Sequence, residues 1–549
     1  MKRKLLNLVG IATLLLCSSN LLGQTYNVWT GAVDTDWHTA GNWDLGTVPV
    51  ATDFVEIYNE TNAPVISSST TVVIAELYID SGGRRDGGSL TINSGSSLTI
   101  TGDYINDFEC IINSDSASSA GSLVVNGDVI GDLTYNRHVP GGAWYLISAP
   151  VGDQNSQSWV ADNPGLFLTS ASNNVAIANY QNSGWEYTSG VFGFNVSGGV
   201  GASVRLQSSG VIPMTGTMQG ATVIRSLVSS GDYFNLLGNP YPSYMNSGTF
   251  LEDNTTQLSE ETIWIRTSGT TYAAQNRATS YILAPGQGFF ARANLSTSSS
   301  SVTFSSSYQS HGSGALKVVP SANYELSVEL GGVKKTSKVF YIENKTTGFD
   351  NGYDSSLFSD SGDFSIYTEL VTDGEGQKLE IQTLPDENIE SFVVPVGVKA
   401  VADSEITFSI ETSNFDENLK LYLEDRVSNT FTRLDEVNSM YKVTPETDLD
   451  GVGRFYVHAS QTALSVDTNE WLSTVQIYKL NNASVRITGL TQGNSSVRMY
   501  NVMGKEVLST SFNAAGAKDI TLPNNISKGV YFVKLETADG ILNKKIIVE

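Results

Sequence analysis

Short runs in which apolar and polar residues alternate recur along almost the whole chain. They include Val72 to Ile79, Ser89 to Ile92, Ser97 to Ile100 and Ser122 to Val125. The pattern returns at Val339-Phe340-Tyr341-Ile342, Leu379-Glu380-Ile381-Gln382, Ile406 to Ile410, Leu419 to Asp425 and Phe455-Tyr456-Val457. A period of two marks a strand with one buried face. Long apolar stripes of period 3.6 are missing, and only Ser243 to Leu251 reads as a helix candidate. The 51 glycines, together with abundant Ser, Thr and Asn, supply tight turns between short strands. The predicted class is all-β with several domains: an N-terminal solenoid-like region, β-sandwich modules and a small C-terminal β-sandwich.

Residues 24–135 contain a near repeat, Ser89-Leu90-Thr91-Ile92-Asn93-Ser94-Gly95-Ser96-Ser97-Leu98-Thr99-Ile100, and Gly121 to Asp128 reads as a further coil. Evenly spaced strands with inward Leu, Ile and Val suit a parallel β-solenoid, with a sandwich as the alternative. The opening Val28-Trp29-Thr30-Gly31 and Asp36-Trp37 to Asn42-Trp43 resembles that of many Bacteroidetes surface proteins and adhesins. Its tryptophans either cap the solenoid core or line a glycan site; capping is the commoner use. Residues 136–315 carry three phrases: Trp144 to Val151, Phe234 to Ser243 and Ala284 to Ala291. They resemble a module of large secreted cargo proteins, in which buried strands end in Pro/Gly corners. The Ser-rich run Asn294 to Ser307 reads as a loop or edge. Residues 316–460 read as one sandwich, 461–474 as a linker and 475–549 as a separate module predicted to hold seven short strands.

Both ends of the chain speak of export. Lys2, Arg3 and Lys4 precede the short apolar run Leu5 to Leu16, and Gly23-Gln24 suits a signal-peptidase site, so residues 1–23 are predicted to be a cleaved signal. Cys17 raises a lipoprotein alternative, but Leu16 is a poor residue to precede it. No later stretch approaches the roughly 20 apolar residues of a membrane helix. Val497 to Val507 reads as strand, glycine turn at Gly504, strand; Leu522-Pro523 and Ile526-Ser527-Lys528-Gly529 lead into Val530-Tyr531-Phe532-Val533; and Lys544-Lys545 precedes the last apolar residues. This tail resembles the type A C-terminal sorting domain of the Bacteroidetes type IX secretion system, departing from it at the acidic Glu549. The resemblance implies an address on the cell surface or outside the cell. It also implies two partners, an outer-membrane translocon and a sortase-like peptidase that cuts within Gln461 to Glu470. Gly504, Lys528, Gly529, Tyr531, Lys544 and Lys545 are the candidate sorting residues.

Charge narrows the partners. The chain has 32 Lys+Arg against 56 Asp+Glu, a net charge of −24. Such a surface repels nucleic acid and anionic head groups. With Cys17 removed, only Cys110 remains, so no intramolecular disulfide can form. Cys110 beside Glu109 reads as a buried strand residue, since no local cation lowers its pKa.

His38, His138, His311 and His458 form no metal motif, and neither a nucleophile elbow nor a phosphate loop occurs. Asp448-Leu449-Asp450-Gly451 has the look of a Ca²⁺ loop without the twelfth-position glutamate, and Asp350, Asp354, Asp360 and Asp363 form a weaker second set; Asx turns are the plain alternative. The expectation is a surface protein without catalysis or cofactor, working in adhesion or structure. The alternatives are a glycan-binding accessory protein and a hydrolase with catalytic carboxylates set by distance in space.

Overall fold

A computed structural model describes residues 26–548 apart from 68, 82–86, 116–118, 153, 171–173, 182, 269–270, 295–299, 313–320, 359–361, 373, 375, 462–474, 482, 524–525 and 539. The signal residues Gly23 and Gln24, with Cys17, and nearly all of the linker lie outside the described residues. Two compact units result: residues 1–246 with 282–314, and residues 247–281 with 315–549.

The first unit begins as a three-faced parallel solenoid. One face stacks Tyr26–Trp29, Phe54–Ile57, Glu76–Ile79, Tyr104–Asn106 and Val129–Ile130. The second stacks Val65–Ile66, Ser89–Ile92, Glu109–Asn113 and Asp132–Val139; the third stacks Thr71–Ile74, Ser97–Ile100 and Ser122–Val125. Register keeps like above like. Val72, Leu98 and Leu123 align, as do Ile74, Ile100 and Val125. All point inward, because alternate residues of a strand face opposite ways. Trp29, Trp37 and Trp43 close the first coil. Trp37 has 0 % of its surface exposed, and its ring and that of Trp29 meet Trp43 edge-on at 4.8 and 4.9 Å. Buried rings cannot stack on a sugar, so the cap reading stands and the glycan row in this region does not.

The strand Asp132–Val139 pairs in parallel with Glu109–Asn113 and antiparallel with Gly210–Thr217. One hydrophobic core continues from Trp29 to Met218. A boundary at 135/136 therefore cuts a strand, because the last solenoid coil also serves as the first strand of the antiparallel region beyond it.

The three phrases of residues 136–315 converge. Phe234–Gly238 pairs with Gly288–Ala293. Ser148 N donates to Gly286 O at 2.8 Å and Asn239 N to Gln287 O at 2.9 Å. A Cβ on Gly238 would stand 2.2 Å from Ser148 Cβ, and one on Gly288 2.9 Å from Ile147 N. The glycines are there because two backbones touch. The corner beyond is held by Tyr241, whose buried hydroxyl donates to Phe304 O at 2.7 Å. The Ser-rich run supplies an edge: among the described residues Ser300–Phe304 pairs with Val223–Leu227 in a two-stranded sheet.

In the second unit, the strands from Ala322–Leu330 to Leu449–Ser460 form one continuous sheet, almost wholly antiparallel. It folds over so that Phe408 and Phe455 meet across a shared core, with ring centroids 4.7 Å apart. Residues 247–281, expected in the preceding module, belong to this unit. Their helix is Ser247–Asp253, starting four residues later than the sequence suggested, and a second helix, Ser156–Asp162, carried no recognised signal. The hairpin of Leu258–Ser268 and Thr271–Gln275 is tied in by polar contacts: Glu260 Oε2 accepts from Ser356 N at 2.9 Å and Glu380 Oε1 from Ala274 N at 2.8 Å.

Candidate functional site

Among the described residues the C-terminal module has five strands where seven were expected: Gln476–Asn481, Ser484–Asn501, Glu506–Thr521, Gly529–Thr537 and Gly540–Val548. Two of them are long because they bend without ending. The ladder between Ser484–Asn501 and Glu506–Thr521 slips at Thr488/Leu490 and Leu490/Gly493, and Gly489 and Gly516 take positive φ at the bend. One half of Ser484–Asn501 pairs with Gln476–Asn481 and the other half with Gly529–Thr537. A turn-like composition at the bends therefore reads in sequence as a break.

The module owns a separate hydrophobic cluster, from Val475 and Ile477 through Ile487, Val497 and Leu535 to Val548. None of these residues belongs to the sandwich cluster. Gly504 sits at φ +77 in the turn after Ser484–Asn501, where Asn501 Oδ1 accepts from Met503 N and Lys505 N, each at 3.0 Å. Lys528 and Gly529 are exposed ahead of the fourth strand. Tyr531 points inward, its hydroxyl donating to Ser527 O at 2.7 Å. Lys544 and Lys545 do not make one patch. As neighbours on a strand they face opposite sides, with Lys545 exposed and Lys544 half-buried beside the core.

The outward face of the terminal hairpin is more informative than the lysine pair. Register sets Phe532 opposite Lys545, Val530 opposite Ile547 and Lys534 opposite Asn543. Phe532 is 47 % exposed and Ile547 53 %. At the Gly504 turn, Met503 is 83 % exposed. No motif marks these apolar positions, although the alternation from Gly529 to Val548 already puts Phe532 and Ile547 on one side. Residues 475–549 carry nine Lys+Arg against five Asp+Glu, in a chain whose net charge is −24.

The Ca²⁺ candidates are engaged elsewhere. Asp448 Oδ1 accepts from Ala402 N at 2.8 Å, and Asp450 stands 3.6 Å from Lys378 Nζ. Asp350 Oδ2 accepts from Thr346 N and Asp354 Oδ2 from Asp350 N, both at 2.6 Å, while Asp363 pairs with Lys399 at 3.2 Å. Asp360 lies outside the described residues. Burial pushes the Asp354 carboxyl up to about 7. Asp350 and Asp354 thus cap a local turn, Asp448 ties two distant segments, and Asp450 and Asp363 face lysines. Among the described residues, no group of three His, Cys, Asp or Glu is placed to hold a metal ion. Cys110 lies in the solenoid core, where burial pushes its thiol up to about 12. His311 is clasped between Thr99 Oγ1 at 2.7 Å and Ser122 Oγ at 2.8 Å.

Residues 479–549 match the family described as the secretion system C-terminal sorting domain. The fold and this module together define a cargo protein of type IX secretion, exported to the cell surface or the extracellular space. Residues 28–283 and 260–458 match a second family, described as a domain of unknown function (DUF8693), and the chain belongs to that family. No curated protein matches the chain.

Proposed function

We propose that this cargo is a non-enzymatic component of the cell surface, acting as an adhesin or as a structural part of a surface layer. The observation that carries this is the use made of its chemically capable side chains. Cys110 fills the solenoid, His311 ties coils together, and the tryptophans cap the stack. These groups serve packing within the first unit, which supports a role in contact. Export would begin with a cleaved leader at residues 1–23. An outer-membrane translocon would then recognise the folded C-terminal module, and a sortase-like surface peptidase would remove it. Deleting residues 475–549 should strand the protein in the periplasm. Loss of the whole protein should lower attachment or weaken the matrix in a surface-binding assay. Unchanged attachment would sink the adhesive and structural reading while leaving the address intact.

A glycan-binding role is favoured by one observation in the first unit. Trp144 and the exposed Tyr187 stand with ring centroids 5.9 Å apart. Aromatic faces open to solvent are used to stack on sugars, but these two are tilted by 59° and do not form a flat platform. Glycan-array binding that disappears in Trp144→Ala and Tyr187→Ala would promote this reading over adhesion to protein; an array without signal would remove it.

A further inference from the structure

The outer face of the sandwich is covered. In Leu449–Ser460, Phe455, Val457 and Ala459 enter the sandwich core, so Tyr456 and His458 point the other way. In Ser365–Thr368, Ile366 is in the core and Tyr367 lies outside it, across Gly397. Side chains on the outside of a sheet are ordinarily wet. Tyr367 and Tyr456 nevertheless have 0 % of their surface exposed, and Glu369 beside them is buried as well.

The C-terminal module provides the cover. Arg426 lies 3.7 Å from the Tyr456 ring centroid and donates from Nη1 to Gly489 O at 3.1 Å. Gln476 Nε2 donates to Leu370 O at 3.1 Å, and Arg486 Nη1 to Asp450 O at 3.3 Å. Tyr478 is buried against Gly376. At Gly453 the two backbones come so close that a Cβ would stand 2.6 Å from Gly516 O. Arginine heads, amides, tyrosine rings and carbonyls make this contact, while the aliphatic cores on either side stay separate.

That composition belongs to an interface between two folded bodies. Tyr and Arg dominate the tight spots of protein–protein contacts, and hydrogen bonds to charged groups are the stronger ones. A domain sharing its core with a neighbour could not be lifted off; one seated through these groups can. The seat is not perfectly matched either. Glu369 Oε2, Tyr367 OH, Tyr456 OH and Gln476 Oε1 have no hydrogen-bond partner among the described residues. Imperfect pairing lowers affinity without abolishing it.

We infer that residues 475–549 form a reversible lid on the sandwich. When the chain is severed ahead of Val475 the module stays seated non-covalently, and the Tyr367–Glu369–Tyr456 face opens only when it dissociates. The partner this face fits is the chain's own C-terminal module. A covalent link holds the two at a local concentration in the millimolar range. Cutting it leaves the intrinsic affinity of the seat.

The test uses the chain from residue 24 to 549 with a specific protease site substituted within 462–474. After complete cutting, both fragments should co-elute on size exclusion at about 1 μM while separating on a denaturing gel. Arg426→Ala, on the sandwich, and Gln476→Ala, on the module, should each raise the dissociation constant about tenfold or more, a change of about 1.4 kcal/mol. Far-UV circular dichroism of each cut variant confirms that both parts remain folded, and the second variant decides if the first does not fold. Separation of the wild-type fragments at about 10 μM would overturn the inference, as would dissociation constants within about twofold of wild type in both variants. Neither result touches the export assay, so failure here leaves the secretion assignment standing.

Discussion

Trp37 has no exposed surface and meets Trp43 edge-on, so removing its ring opens a large hole at the end of the solenoid core. Trp37→Ala should cost about 3–5 kcal/mol, read from denaturant unfolding of the first unit; a loss under about 1 kcal/mol would mean that the end of the stack closes in another way. This residue was legible in sequence because three tryptophans close together at the head of a repeating strand pattern need a common purpose. His311 was not legible. It lies far in sequence from Thr99 and Ser122, and only the fold sets its imidazole between their hydroxyls. Burial pulls its pKa down from 6.5 to about 4. The unfolded chain takes up this proton near 6.5 and the folded chain only near 4. The neutral ring's contribution is therefore complete above 6.5 and is lost as pH falls through that window, by up to roughly 3 kcal/mol. Unfolding of the first unit at about pH 7.5 and about pH 4.5 should show this loss, and His311→Phe should shrink the difference between the two conditions. An equal loss in the variant would assign the acid sensitivity to other groups.

Among the elements, the three Pro/Gly phrases of the first unit act as one joint. Ser148 sits where the strand ends at Gly238 and Gly288 are forced together, and neither glycine has room for a methyl group. Gly238→Ala should cost about 1–3 kcal/mol by overpacking, while an alanine at Gly190, which has open space around it, should change stability by less than about 0.5 kcal/mol. Melting temperatures of the two variants, measured side by side, check this, and equal values would show the joint to be slack. The alternation in sequence identified most of the strands because each buries one face. Partners were harder, since pairing in the large sheet joins positions far apart in the chain, and nothing local records it. The two bent strands of the C-terminal module failed for a related reason. Gly489 and Gly516 look like turns, yet Gly489 is a bulge and Gly516 pairs with Leu490, within a ladder that continues on either side. Surface placement was equally readable and was overlooked: the period of two from Gly529 to Val548 sends Phe532, Lys545 and Ile547 outward together.

On the scale of the molecule, the seat beneath the C-terminal module should respond to pH through Glu369. Burial pushes this carboxyl up to about 7, against the opposing pull of Lys378 and Arg486. Its other neighbours are Tyr367, Tyr456 and Tyr478, whose hydroxyls burial holds protonated throughout this range. Lifting the module away removes burial from the carboxyl and so lowers it toward its ordinary carboxylate range. Docking therefore takes up a proton between pH 4.5 and 7: full affinity is present below 4.5, declines as pH rises, and levels off above about 7. The linkage amounts to at most roughly two orders of magnitude in the dissociation constant across the window. In the severed protein, sedimentation at a series of pH values should show tight association at about pH 5 and measurably weaker association at about pH 8. Glu369→Gln keeps the shape and removes the titration, so its dissociation constant should be nearly flat with pH and close to the acidic wild-type value. Salt provides an independent control, because Arg486 and Lys378 act on the Glu369 carboxylate: screening them should affect wild type at neutral pH and leave the glutamine variant nearly unchanged. A wild-type profile flat from about pH 4.5 to about pH 8, or a glutamine variant as pH-dependent as wild type, would place the control of docking on a different group. The physical basis is that an ionised carboxylate with an unpaired oxygen is poorly tolerated under a dry lid, whereas a protonated one is merely a buried polar group. If the seat behaves this way, a severed module leaves more readily in neutral than in acidic surroundings, and the face it covered becomes available where the medium is neutral.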